Sequence, residues 1–150
     1  MSKLPDSPDG FALPPHAYVP GQNARHPEDW FDEIKASVLP QMQPADLHQT
    51  AAWKAGLVYF DLGYFWECHE VLEPIWMQTP NGSAERDMVQ AVIQLANARL
   101  KLRMALPRAA RRLCDMVAAH LARCPQDRPI LGLHASEVAA WVQETQGKTV

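Results

Sequence analysis

From Ala84 to Leu106 the chain carries apolar side chains round most of a helical circumference, at Met88, Val89, Ala91, Val92, Ile93, Leu95, Ala96, Ala98, Leu100 and Leu102. A helix of that kind has almost no face to give to water, so other helices must surround it. The punctuation on either side supplies them. Pro27-Glu28-Asp29 and Pro44-Ala45-Asp46 read as helix starts, with proline at a first helical position and acids in the first turn. Gly63 closes one helix, Pro80-Asn81-Gly82-Ser83 caps the long one, and Pro107 opens the next. Six helices are predicted, over 27–38, 44–62, 64–78, 84–106, 107–123 and 135–146. Period-2 alternation of β-branched residues is nowhere sustained, so the fold class is all-α, a compact bundle of about six helices.

Ahead of these helices, Pro5, Pro8, Pro14, Pro15 and Pro20 fix φ and remove backbone donors. Residues 1–26 therefore read as a Pro-rich extended arm and 27–150 as a single helical domain. Phe11, Leu13, Tyr18 and Val19 sit among the prolines, so the arm either lies in a groove of its own domain, docks on a second copy to form a homodimer, or stays disordered.

Composition narrows the setting. A net charge of −3 gives no general pull toward nucleic acid or an anionic membrane. Cys68, Cys114 and Cys124 form no C-x-x-C pair, which suits the reducing cytoplasm better than a disulfide scaffold. Met1–Gly10 lacks the apolar run of a signal peptide, and no stretch reaches the roughly 18 apolar residues of a membrane span. Arg99, Lys101, Arg103, Arg108, Arg111 and Arg112 are a basic run without intervening acids. They straddle two helices and lack interleaved aromatics, so salt bridges to the acidic residues at 28–33 are expected rather than nucleic-acid binding.

The chemically loaded helix is the third. At about 100° per residue, Phe65, Cys68, Val71, Leu72, Ile75 and Trp76 share one core-facing arc. His69 and Glu73 stand at its edge, Glu70 lies next round with Trp66, and Glu67 points furthest toward solvent. Pro74 removes the hydrogen bond to the Glu70 carbonyl, so a kink is expected there. On the fourth helix Asp87, Gln90, Gln94, Asn97 and Lys101 form a polar stripe that either faces solvent or meets the carboxylates of the third.

The run from Tyr59-Phe60-Asp61-Leu62-Gly63-Tyr64-Phe65 through Trp66-Glu67-Cys68-His69-Glu70-Val71-Leu72-Glu73 to Trp76, followed by Arg86–Ala96 with its paired glutamines, resembles the bacterial and archaeal domain-of-unknown-function family 309. The resemblance covers about residues 53–113. It implies a compact all-helical fold and a polar signature on Glu67, His69, Glu70, Glu73, Gln90 and Gln94, and it implies no activity. Pro74, and Ala105-Leu106 before Pro107, depart from the family pattern.

Two functional readings remain open. In one, Trp66, His69, Glu70, Glu73, Gln90 and Gln94 form a polar site between the two central helices, serving as a structural knot or holding a small polar ligand or partner. In the alternative, His69 and Glu73 hold a divalent metal and Glu70 acts as general base of a metal-assisted hydrolase. His69-Glu70-x-x-Glu73 has Glu where the zinc-protease pattern has its second His, so Asp61, His48 or His120 would have to complete the ligand set.

Overall fold

The computed structural model describes residues 12–149, and every regular element among them is helical. A one-turn helix α1 (Asp32–Lys35) and a 3-10 turn (Pro44–Gln49) precede α2 (Ala51–Leu62), α3 (Phe65–Met77), α4 (Ala84–Arg103), α5 (Pro107–Ala122) and α6 (Ala135–Gln146). The long apolar helix takes the central place: α4 packs against α3, α5 and α6 and buries nine side chains from Met88 to Leu100. Helix α2 covers α3 from the other side. Between them the chain turns at Gly63, whose φ of 90° suits a residue without Cβ. Among the described residues no helix is long and apolar enough to cross a membrane.

Two of the expected helices are cut short by side chains that compete for backbone groups. The predicted 44–62 helix breaks at Thr50, whose hydroxyl donates to Leu47 O at 2.8 Å and accepts from Trp53 N at 3.1 Å, capping α2. The predicted 27–38 helix shrinks to the single turn α1. Beyond it, Ser37 Oγ donates to Ile34 O at 2.6 Å and accepts from Ala52 N at 3.0 Å, tying that strip to α2. Helix α3 continues past Pro74 to Met77.

Residues 12–26 lie against their own chain. The Tyr59 hydroxyl donates to Ala12 O at 2.9 Å, Gln22 Nε2 donates to Arg103 O at 2.8 Å, and Val19 is buried. Phe11, expected among the apolar contacts of the arm, lies outside the described residues.

Candidate functional site

Helix α3 is touched by α1, α2, α4 and the arm, so successive residues on it meet different neighbours. Helical arithmetic turns Glu67 toward solvent. Instead it is wholly buried, because the arm covers that face. Glu67 Oε2 accepts from Tyr18 N at 2.7 Å and meets His26 Nε2 at 2.6 Å. The His26 ring is packed by His16, Phe31 and Trp66, with centroids 4.5, 5.7 and 6.0 Å away. His26 Nδ1 and Glu67 Oε1 are buried without a hydrogen-bond partner. Burial first, and then the Glu67 carboxylate, push the Tyr59 phenol and the Cys68 thiol up from their ordinary values.

The second face of α3 meets the polar stripe of α4. His69 Nδ1 lies 3.0 Å from Asn97 Oδ1, and Asn97 Nδ2 donates to Gln94 Oε1 at 3.3 Å. His69 Nε2 faces Glu73 Oε2 at 3.5 Å. Together with Trp76 and Gln90 these side chains line an open groove of about 280 Å³. His69 and Glu73 are 37% and 55% exposed, so they are reachable from solvent. The chain of amides has a chemical consequence. Asn97 offers its oxygen to His69 because its nitrogen is committed to Gln94, so Nδ1 carries the imidazole proton. Nε2 then stands beside the Glu73 carboxylate, an acceptor where the ring is neutral and a donor to the carboxylate where it is protonated.

Trp66 and Glu70 belong to a third face. Glu70 Oε2 accepts from Lys35 Nζ at 3.0 Å, and Arg25 lies over the Trp66 ring, 5.3 Å from its centroid. The expected convergence of His69, Glu70 and Glu73 therefore does not occur, since residues one apart on a helix are about 100° apart. His69 and Glu73 stay together, Gln90 and Gln94 join them, and Glu70 goes with Trp66 to the opposite flank.

No three His, Cys, Asp or Glu side chains among the described residues gather as a metal site. His120, one of the groups considered for the ligand set, is bound instead to Asp87 at 2.9 Å, where Arg123 Nε also donates at 3.1 Å. Desolvation alone pushes the Asp87 carboxyl up, but the His120 and Arg123 hydrogen bonds outweigh it and hold the group below its ordinary value. Asp61 lies by Arg99 and Glu144 on the far side of α4.

The basic run does not pair with residues 28–33 as expected. Arg99 Nε donates to Thr145 Oγ1 at 2.9 Å and its guanidinium sits over the Phe60 ring. Arg103 donates to the Gly63 carbonyl and stacks on Phe65, while Arg111 donates to Thr149 O at 2.8 Å. Three of the six cations are thus used to fasten α4 and α5 to the α2–α3 turn and the carboxyl-terminal segment. The expected pairing with the acids at 28–33 misses this, because most of the acceptors are carbonyl and hydroxyl oxygens and the carboxylate near Arg99 is that of Glu144, 3.7 Å away.

His26, Tyr18, Lys35 and Arg25 are the partners that sequence reasoning does not supply. All lie before residue 36, and no motif links them to α3. Asn97 was within reach, since it stands on the polar stripe one turn beyond Gln94.

Fold and surfaces together define an all-helical bundle organised round the apolar α4, with polar residues on three sides of its neighbour α3. Residues 53–113, from Trp53 in α2 to Leu113 in α5, match the family model described as Domain of unknown function (DUF309). For this segment the family is the one that the motif resembles. Neither the curated proteins nor the solved structures compared with the chain give a match.

Proposed function

We propose that this protein is a small-ligand or interaction module of the cytoplasm, in which the groove between α3 and α4 receives a polar group bearing N–H or O–H donors. Glu67 and His26 serve as the structural knot in this reading, and the helical domain from residue 27 carries residues 12–26 of the arm folded over that knot. One observation carries the assignment. His69 Nε2 and Glu73 Oε2 lie 3.5 Å apart with both side chains partly exposed, so a donor arriving from solvent can reach the two atoms together. Gln90 and Gln94 flank them and supply amide groups of both polarities. Metal-assisted hydrolysis draws no support, because Glu70, its general base, is held by Lys35 on another face, and the His69 and Glu73 pair has no third ligand among the described residues.

The test is a nitrogen-detected NMR titration of the full chain with methylammonium, guanidinium and glycerol in turn. The His69 imidazole and the side-chain amides of Gln90 and Gln94 are expected to shift together and saturate in the millimolar range, which corresponds to about −4 kcal/mol. Replacing Glu73 by Ala should abolish the response. Shifts that fail to saturate with all three probes, or that persist unchanged in Glu73→Ala, would remove the assignment.

A further inference from the structure

A second cleft, of about 470 Å³, lies on the other flank of α3 and shares no lining residue with the groove just described. Glu28, Asp29, Asp32 and Glu70 contribute four carboxylates to its wall against two cations, Arg25 and Lys35. Both cations are already engaged: Lys35 is bound to Glu70, and Arg25 lies over the Trp66 ring. The acids alone would be an ordinary solvated surface. What distinguishes the place is His26, which also lines the cleft although its side chain is only 1% exposed. Its Nε2 is spent on Glu67 and its Nδ1 has no partner. In the neutral ring, where Nε2–H donates to the Glu67 carboxylate, the Nδ1 lone pair is left as an acceptor without a partner. Buried polar atoms without a partner cost free energy until something satisfies them.

We infer that this cleft is a binding site for a small organic cation carrying N–H donors, an amine or a guanidinium, with His26 as the acceptor at its inner wall and Trp66 as its aromatic face. The excess of carboxylates selects the sign of charge, the aromatic ring favours a cation over a neutral donor, and the imidazole lone pair requires a hydrogen that the cation can give. Arg25 over Trp66 is the chain's own version of the same contact. Glu70, separated from His69 and Glu73 by its direction on α3, has its role here, as one of the anionic groups.

The experiment is an amide and indole NMR titration of the full chain with 1,4-diaminobutane and with guanidinium, run beside tetramethylammonium at matched ionic strength. The two N–H donors are expected to give saturable shifts confined to residues 25–35, the Trp66 indole and Glu70, and tetramethylammonium is not. The Asp32→Asn/Glu70→Gln variant, which alters exposed and half-exposed groups and leaves the buried knot alone, should bind roughly three- to tenfold more weakly. Lys35→Met removes a competing cation and should bind more tightly by a similar factor. Equal shifts with tetramethylammonium, saturation at His69, Gln90 and Gln94 instead, or unchanged affinity in both variants would each overturn the inference.

Discussion

His26 Nε2 and Glu67 Oε2 stand 2.6 Å apart, 41 residues distant in sequence, with 1% and 0% of their side chains exposed. Polar groups so placed hold the arm to α3 through an interaction whose desolvation is already complete, which makes the loss of either member far more costly than the loss of a surface pair.

His26→Ala is therefore expected to lower unfolding stability by about 3–5 kcal/mol, since it strands a buried carboxylate. The double variant His26→Leu/Glu67→Met removes both polar groups and should regain much of that loss. Urea melts of the two variants and the parent decide the matter. A His26→Ala protein within 1 kcal/mol of the parent, on the order of experimental error, would mean that water readily replaces the imidazole.

Asp87 gives the pH dependence a definite sign. Its carboxyl is held below the ordinary value by His120 and Arg123 despite the opposing effect of desolvation. A group with a depressed folded pKa contributes stability that is fully present above its unfolded value, near 4, and is lost as pH falls through the folded value. Asp87→Asn should cost about 1.5–3 kcal/mol at pH 7. The variant should also show a shallower decline in stability below pH 4, roughly where the unfolded carboxyl begins to bind protons. Parallel acid limbs for parent and variant would contradict this origin.

All three thiols should be silent in the folded protein. Cys68, Cys114 and Cys124 are buried and free of disulfides. Burial raises each of them, with Asp87 adding to the effect at Cys124, which is pushed up to about 11. Because the thiolate is the nucleophile, alkylation at pH 8 should wait on unfolding and then release three equivalents together. A fast stoichiometric phase in native buffer would show that one of them is accessible.

Gly63→Ala tests the α2–α3 turn. Its φ of 90° is unfavourable for a residue with a Cβ, and that Cβ would come 2.5 Å from the Arg103 guanidinium. A loss of about 1–2 kcal/mol is expected by thermal melting, reduced when Arg103 is shortened to Ala in the same chain. Full additivity of the two changes would separate the turn from Arg103.

Helices α3 to α6 were legible because their signals are local: Pro107 at a first turn, Ser83 as cap, an apolar circumference on α4. The 44–62 stretch was read as one helix although Thr50, standing before Ala51-Ala52-Trp53, carries a cap signature of its own. Most of the α4 contribution to the groove was also readable, since Gln90, Gln94 and Asn97 share one stripe by spacing alone. Glu67 was not. Angular position on a helix fixes which residues share a face, and says nothing about a segment some 40 residues earlier in the chain that lies over that face. The division of His69 and Glu73 from Glu70 was contained in the same arithmetic, and grouping them as a motif hid it.

The order in which the chain leaves the ribosome gives the docked arm a timing. Tyr18 and His26 emerge long before Glu67, and Gln22 must wait for Arg103, 81 residues later. Until α3 and α4 exist, the arm has no surface on which to settle, and until it settles Glu67 remains hydrated. Contacts of such long range close late, after the neighbouring helices have paired, so burial of Glu67 should mark the last stage of folding.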